Sequence, residues 1–369
     1  MEGEKRAKII ITVGALGLAA VIFLGMLVAD GRKGKSEPEK QAINTESSEK
    51  PEEQRYPLDM GDIYDMRLDA EKPEDYYMRS CWDLCNLYTI DEDGVLWGSG
   101  ENDYGQIGLG YADEEFYEEK NKIAENVVHV DASQHGFVIY LTEEGKLYGL
   151  GNDSTYMLLQ HTDEPVDSLI YPTKKVVTSP VLLMEDVSYA RCGRDDIVTL
   201  KKDGTVWTWG MIWNYGETGY CKSKPEQILS DVKIVTGGFF NHAALKEDGT
   251  VWTWGYNYSG NCGTNQGTMV EVPIQVADHV KNVWTGSLNY SAPSDDIRDL
   301  EGLHLEYMDN TVIETYDGDF LACGREVGDK KMAMTTYYEA SEFETVCSYE
   351  FLLLDWTEKM LREKMAEKK

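Results

Sequence analysis

The octapeptide DGTVWTWG occurs twice in this chain, at Asp203–Gly210 and Asp248–Gly255, forty-five residues apart. Three looser copies share its frame: DGVLWGSG from Asp93, EGKLYGLG from Glu144 and DGDFLACG from Asp317. In all five a second glycine follows the first by six residues: Gly94 and Gly100, Gly145 and Gly151, Gly204 and Gly210, Gly249 and Gly255, Gly318 and Gly324. A chain that repeats one short phrase at this scale stacks copies of one supersecondary unit, because no copy buries its apolar face alone.

Each phrase reads as a β-hairpin. Asp-Gly or Glu-Gly supplies a tight turn in which glycine takes a positive φ without a Cβ penalty. Extended apolar runs precede it (NLYTI, FVIYL, IVTL, HAAL), and Val95, Leu147, Val206, Val251 and Phe320 follow it. Trp97, Tyr148, Trp207 and Trp252 come next in four copies and Leu321 in the fifth. Aromatic and β-branched side chains suit a half-buried pleated surface, so these aromatics are expected between neighbouring units rather than in a binding cage. A second element, G-x-x-G, follows in three copies: Gly105–Gly108, Gly216–Gly219 and Gly260–Gly263. It suits a tight bend and lacks the lysine and the strand–helix context of a phosphate loop. The turn glycines lie 51, 59, 45 and 69 residues apart, which points to an all-β propeller or a related β-array.

The formal net charge of the 369 residues is −31. Residues 1–55 are neutral and 356–369 carry +2, so the body, 56–355, carries −33. Phosphate backbones repel such a body, which argues against a nucleic-acid partner. The seven cysteines (Cys81, Cys85, Cys192, Cys221, Cys262, Cys323, Cys347) include no C-x-x-C pair. On one strand Cys81 and Cys85 would stand about 13 Å apart, beyond disulfide reach. Small buried hydrophobes are the expected role of the thiols; the alternative is a disulfide between distant blades.

Ile9–Ala29 holds no charge, and as a helix it spans about 31 Å, the thickness of a bilayer's hydrocarbon core. We expect a transmembrane signal anchor at 9–29 after a short flank, 1–8. A cleaved signal peptide is the rival reading, but its apolar region is normally shorter. Three basic residues flank the span on each side; with the N-terminus placed inside, the bulk of the chain is extracytoplasmic. Residues 30–55, rich in Glu, Lys, Ser and Pro, read as a disordered linker. The expected propeller occupies 56–355, and 356–369 reads as a short amphipathic helix.

The motifs resemble the regulator of chromosome condensation repeat, in which a strand ending in a D-G turn leads to an aromatic strand ending in W-G-x-N and then to G-Q-L-G. DGVLWGSGENDYGQIGLG at Asp93–Gly110, DGTVWTWGYNYSGNCG at Asp248–Gly263 and GGFFNHAALKEDG at Gly237–Gly249 carry the likeness, with His242 at the family's histidine position. It covers about 80–325 and looks like a membrane-anchored, bacterial-type member. The resemblance implies a propeller of four-stranded blades, usually seven. This chain has room for about six, within a range of five to seven. The second copy lacks the G-x-x-G bend, Leu288–Leu303 looks like an insertion, and Tyr56–Ser80 with Glu344–Asp355 is expected to complete a shared blade. Family members include a nucleotide-exchange factor on chromatin and a secreted inhibitor of β-lactamases.

No residue pattern identifies a catalytic centre, a cofactor or a metal site. The acidic clusters Asp113–Glu119 and Ser294–Glu301 lack calcium-loop spacing and read as solvated loops. The six histidines are scattered, and no G-x-S-x-G occurs. Loops after the aromatic strands carry Tyr104, Trp213, Tyr215, Tyr256 and Tyr258. On one face of a ring these would form an aromatic-rimmed surface for a partner, or would fill gaps between loops. The expectation is a non-catalytic, membrane-tethered binder of a protein or glycan, with electrostatics favouring a basic partner. A glycan-acting enzyme using loop carboxylates and a purely structural envelope module are the alternatives.

Overall fold

The strands fall into antiparallel sheets taken in sequence order. The computed structural model describes residues 54–55, 68–83, 85–155, 157–159, 175–212, 220–238, 241–285, 310–325, 327, 331–335, 342–355 and 357–367. The first sheet is β1 (Ser80–Trp82), β2 (Asn86–Ile90), β3 (Leu96–Glu101) and β4 (Phe116–Ala124). The second is β5 (Val127–Ser133), β6 (Phe137–Thr142), β7 (Leu147–Asn152) and β8 (Val176–Met184). The third is β9 (Val187–Cys192), β10 (Asp196–Lys201), β11 (Val206–Ile212) and β12 (Tyr220–Leu229). The fourth is β13 (Val232–Gly237), β14 (Asn241–Lys246), β15 (Val251–Tyr256) and β16 (Met269–Ala277). In the fifth, β17 (Val280–Thr285), β18 (Asn310–Thr315) and β19 (Phe320–Arg325) are followed by β20 (Lys331–Thr335) and β21 (Glu342–Leu353), in the order β17-β18-β19-β21-β20. A helix, α1 (Glu358–Glu367), ends the described chain.

Five sheets are thus described, at the low end of the expected range. The expected shared blade is corrected. Glu344–Asp355 does not build a further blade; Leu321 pairs with Leu353 and Arg325 with Cys347, so β21 serves as the fourth strand of the fifth sheet. The edge of β19 otherwise exposes unpaired backbone, and the long C-terminal strand satisfies it. Cys81 and Cys85 also do not share a strand: Cys81 lies on β1, and Cys85 precedes β2. The expected membrane span, 9–29, and linker, 30–55 apart from its last two residues, lie outside the described residues. Among the described residues no helix is long and apolar enough to cross a membrane.

Burial explains why the strands of a blade differ in sequence. The second strands are buried along nearly their whole length, since another sheet packs on each face. Their apolar runs therefore do not alternate. The fourth strands lie at the outer edge and are mostly exposed or half-buried. Each of four fourth strands carries a guard at one equivalent position beside a β-bulge: Lys120, Pro180, Pro225 and Pro273. A proline or lysine there blocks pairing with another chain.

One stitch joins consecutive blades. The N–H of Val127 donates to Gly94 O (2.9 Å), Val187 to Gly145 O (2.9 Å), Val232 to Gly204 O (3.0 Å) and Val280 to Gly249 O (3.0 Å). Each donor opens the first strand of a blade, and each acceptor is the hairpin-turn glycine of the blade before. The residue before each valine, Asn126, Asp186, Asp231 or His279, has φ between 57° and 60°, a left-handed conformation in which Asn, Asp and His are enriched. The repeated Asp-Gly-Thr-x-Trp is a relay. Trp207 Nε1–H donates to Thr205 Oγ1 (2.9 Å), which donates to Asp203 (2.6 Å); Trp252, Thr250 and Asp248 repeat it at 3.0 and 2.7 Å. The threonine hydroxyls hold both aspartates below the usual carboxylate range.

Strand alternation gives every blade two ends. The hairpin turns and the links between blades lie at one, the turn face. Loops joining first to second and third to fourth strands lie at the other, the loop face. A strap, Leu68–Arg79, crosses the first strands from blade five towards blade two before entering β1. Leu68 packs on Trp284 and Phe320, and Ala70 and Tyr76 join the core of blades three and four. Tyr77 donates to Ser188 O (2.9 Å). Met78 N–H donates to His129 Nδ1 (2.9 Å), and Val130 N–H donates to Met78 O (3.1 Å). On α1, Leu361 is buried beside Leu68, and Arg362 forms a bidentate pair with Asp69 at 2.6 and 3.0 Å.

Candidate functional site

The loop face begins with the third-to-fourth-strand loops. An asparagine pins each of two of them from inside. Asn257 donates to Thr264 O and Gly267 O (2.7 and 2.9 Å) and accepts from Cys262 N–H (2.9 Å). Asn102 donates to Tyr111 O (3.0 Å) and Asp113 (3.2 Å). This is the Asn of W-G-x-N, and the G-x-x-G glycines that follow it take φ values of 75° and 77° at Gly105 and Gly108, and 81° and 66° at Gly260 and Gly263. The bends therefore exist where the repeat has both glycines and the asparagine.

Tyr104, Tyr256 and Tyr258 all lie on the loop face, part-exposed, but not in one cluster. Tyr256 and Tyr258 stack on blade four with ring centroids 6.0 Å apart and planes 17° apart. Tyr104, from blade one, lies against Gly136 of blade two so closely that a Cβ there would fall 2.6 Å from Tyr104 Cδ2. Its ring fills an inter-blade gap. Trp213 and Tyr215 lie outside the described residues.

Ionic bridges across the seams were not visible in the sequence, because their partners are some sixty residues apart. Between blades two and three, Asp131 pairs with Arg191 at 2.8 Å, both buried, and also accepts from Cys192 N–H (2.8 Å). Nearby, His135 Nδ1–H donates to Asp195, and Arg194 Nε–H donates to His135 Nε2 (3.0 Å). The imidazole lone pair is thus occupied by Arg194, while Ser133 Oγ–H donates to Arg194 O. Ser133, His135 and Asp195 supply the residue types of a nucleophilic triad, yet the hydrogen bonds run outward into structure. Between blades three and four, His242 Nε2–H donates to Asp196 (2.6 Å) and the ring stacks on Trp254. His242 is therefore an inner residue, although among the described residues its buried Nδ1 has no hydrogen-bond partner.

Other carboxylates are placed for structure. Burial pushes Asp83 up to about 7, against the backbone N–H groups of Cys85 and Asn86 that it accepts. In the acidic cluster Asp113–Glu119, Asp113 accepts from Asn102 and from Tyr117 O–H (2.8 Å), a loop-ordering role. Ser294–Glu301 lies outside the described residues. Asp91 lines a cleft on blade one, where the Trp97 indole N–H holds it below the usual range, the opposite of what a general acid needs. Among the described residues no group of three His, Cys, Asp or Glu side chains could hold a metal ion. Cys81, Cys85, Cys192, Cys262 and Cys323 are free thiols; burial raises all five, Cys85 to about 11.

Comparison with known families bears on the fourth blade. Residues 232–261 and 248–286 match models of the regulator of chromosome condensation (RCC1) repeat. The match to RCC1 repeats is confined to residues 232–286. The matched stretch covers blade four and the first strand of blade five, where the aromatic, asparagine and glycine positions are all filled. Among solved structures the chain is similar to human WBSCR16, at 22% identity over 55% of this chain and 54% of that one, with a TM-score of 0.44. It is similar to yeast RCC1 (Prp20), solved with Kap60 bound, at 20% identity over 73% and 62%, with a TM-score of 0.48. It is also similar to the CRINKLY WD40 ectodomain of the Arabidopsis thaliana receptor kinase ACR4, at 12% identity over 67% and 63%, with a TM-score of 0.33. The chain spans between about half and just under two-thirds of the length of these structures. No curated protein matches it significantly.

Proposed function

We propose that this RCC1-repeat chain is a membrane-tethered, non-catalytic five-bladed propeller that captures a basic protein partner on its loop face. The observation that carries the reading is the asymmetry of its two faces. Arg55 donates to Leu354 O (3.2 Å) and to Asp319 Oδ1 (3.3 Å) at the hairpin turn of blade five. Arg55 therefore lies on the turn face, where strap and α1 also pack. The loop face is left with the part-exposed pair Tyr256 and Tyr258. The net charge of −31 attracts a basic surface and speeds its encounter. Loop carboxylates tied into turns and seams favour binding over glycan hydrolysis.

The test is capture from cell-envelope extract by the full chain in detergent, compared with Tyr256→Ser/Tyr258→Ser and with the turn-face change Asp317→Lys. Tyrosine loss is expected to lower capture of one basic protein about tenfold, a loss of about 1.4 kcal/mol, and added salt to lower it further. Unchanged capture by the tyrosine variant, or capture abolished by the turn-face variant, contradicts the reading.

A further inference from the structure

The inner faces of the blades differ at the start of the array. On each third strand the aromatic side looks back at the preceding blade: in blade three, Trp209 on that side donates its indole N–H to Met157 O of blade two (3.1 Å). Opposite the aromatic position stand Thr89, Tyr140, Thr199, Ala244 and Ile313. The last four are no more than 4% exposed, covered by the blade before. Among the described residues no strand precedes β1. Thr89 is only half-buried there, and the face opens on a cleft of about 460 Å³ lined by Arg79, Ser80, Thr89, Asp91, Trp97 and Lys120, with Ile90 at its base. That volume suits a small-molecule site.

The chemistry of the cleft is unlike that of the body. Trp97 has spent its N–H on Asp91 Oδ2 (2.8 Å), so it offers only a ring face. Asp91 is occupied three times over, because its Oδ1 accepts from Asp93 and Val95 N–H (3.0 and 2.9 Å). Arg79 donates to the carbonyls of Ile90 and Asp91 and keeps its charge. Lys120 makes no ion pair, and neither the Ser80 nor the Thr89 hydroxyl makes a side-chain hydrogen bond, among the described residues. An acidic protein thus holds a recess with two cations, two free hydroxyls and an aromatic wall. A ring with one apolar face, several hydroxyls and a carboxylate fits all three features. The flat face packs on Trp97, the hydroxyls meet Ser80 and Thr89, and the carboxylate forms charge-assisted hydrogen bonds with Lys120 and Arg79.

We propose that the open side of blade one is a binding site for an acidic sugar, a hexuronic acid residue of a glycan. The site is separate from the loop face. The experiment is calorimetric titration of the full chain in detergent with trigalacturonate and with maltotriose, a neutral sugar of equal ring number. The uronate is expected to bind about tenfold or more tightly than the neutral sugar, and Lys120→Ala to remove about tenfold of that affinity while leaving the melting temperature unchanged. Tyr256→Ser/Tyr258→Ser is expected to bind the uronate normally, which separates this site from partner capture. Equal affinity for both sugars, no uronate binding at about 10 mM, or full affinity in Lys120→Ala overturns the proposal.

Discussion

Gly151→Ala will cost the fold about 4 kcal/mol, whereas Gly110→Ala will cost about 1 kcal/mol. Both glycines have positive φ, 112° and 83°. They differ in what surrounds them. A Cβ on Gly110 meets nothing within 4 Å, so only the left-handed backbone penalises alanine. A Cβ on Gly151 would stand 2.3 Å from Gly136 O and 2.7 Å from Phe137 Cα. These are backbone atoms of the adjoining strand entry, and they cannot swing aside. The same clash recurs at Gly100 against Cys85 O (2.1 Å) and at Gly210 against Asp195 O (2.4 Å), which is why the second glycine keeps its six-residue offset in these three copies. Denaturant unfolding of the two variants beside the parent chain measures the difference; equal losses would contradict this explanation of the offset.

The second large effect depends on pH and has two opposed parts. His129 is buried, accepts Met78 N–H at Nδ1 and donates Nε2–H to Ala190 O (2.8 Å). Burial holds it down to about 4, so the folded state wants it neutral. A depressed histidine contributes stability that is complete above its unfolded value, about 6.5, and is lost as pH falls through about 4; the shift corresponds to about 3 kcal/mol. Asp83 works the other way. Pushed up to about 7 by burial, it contributes stability present below about 4 and lost as pH rises through 7. In the parent chain the two contributions oppose each other between pH 4 and 6.5. Asp83→Asn keeps an acceptor for the Cys85 and Asn86 amides and removes the carboxylate. It is expected to raise stability above pH 7 by about 4 kcal/mol and to expose a steep loss on acidification. His129→Gln retains an acceptor and a donor without titrating, and is expected to become more stable relative to the parent as pH falls from 6.5 to 4. Melting temperatures from pH 4 to 8 check both; variant curves running parallel to the parent's would contradict the assignment.

What could be read from the sequence follows from which interactions are local. The hairpin, its turn glycines and the aromatic that follows lie within eight residues, so Asp203–Gly210 and Asp248–Gly255 already specify the Trp-Thr-Asp relay. The G-x-x-G bend was legible for the same reason. The inter-blade stitch has a sequence trace, an Asn, Asp or His followed by Val at 126–127, 186–187, 231–232 and 279–280. Its distance from the turn glycine varies with the third-to-fourth-strand loop, so a fixed-period search passes over it. The edge prolines at 180, 225 and 273 are displaced in the same way. The strap and the Asp131–Arg191 and His135–Asp195 bridges join residues distant in sequence, and no local pattern announces them. Of the aromatic residues, only the placement of Tyr104, Tyr256 and Tyr258 on the loop face can be compared, and it follows from strand alternation. Tyr104 filling a gap while Tyr256 and Tyr258 stack together required the packing of neighbouring blades.

Look-alike hairpin blades are joined, each to the next, by one repeated backbone bond from an opening valine to the previous turn glycine. Amide hydrogen exchange at Val127, Val187, Val232 and Val280 tests it most directly. If the stitch holds, all four amides exchange only through global unfolding and share one protection free energy. Exchange of any of these amides as fast as that of an exposed turn amide such as Asp93 would contradict it.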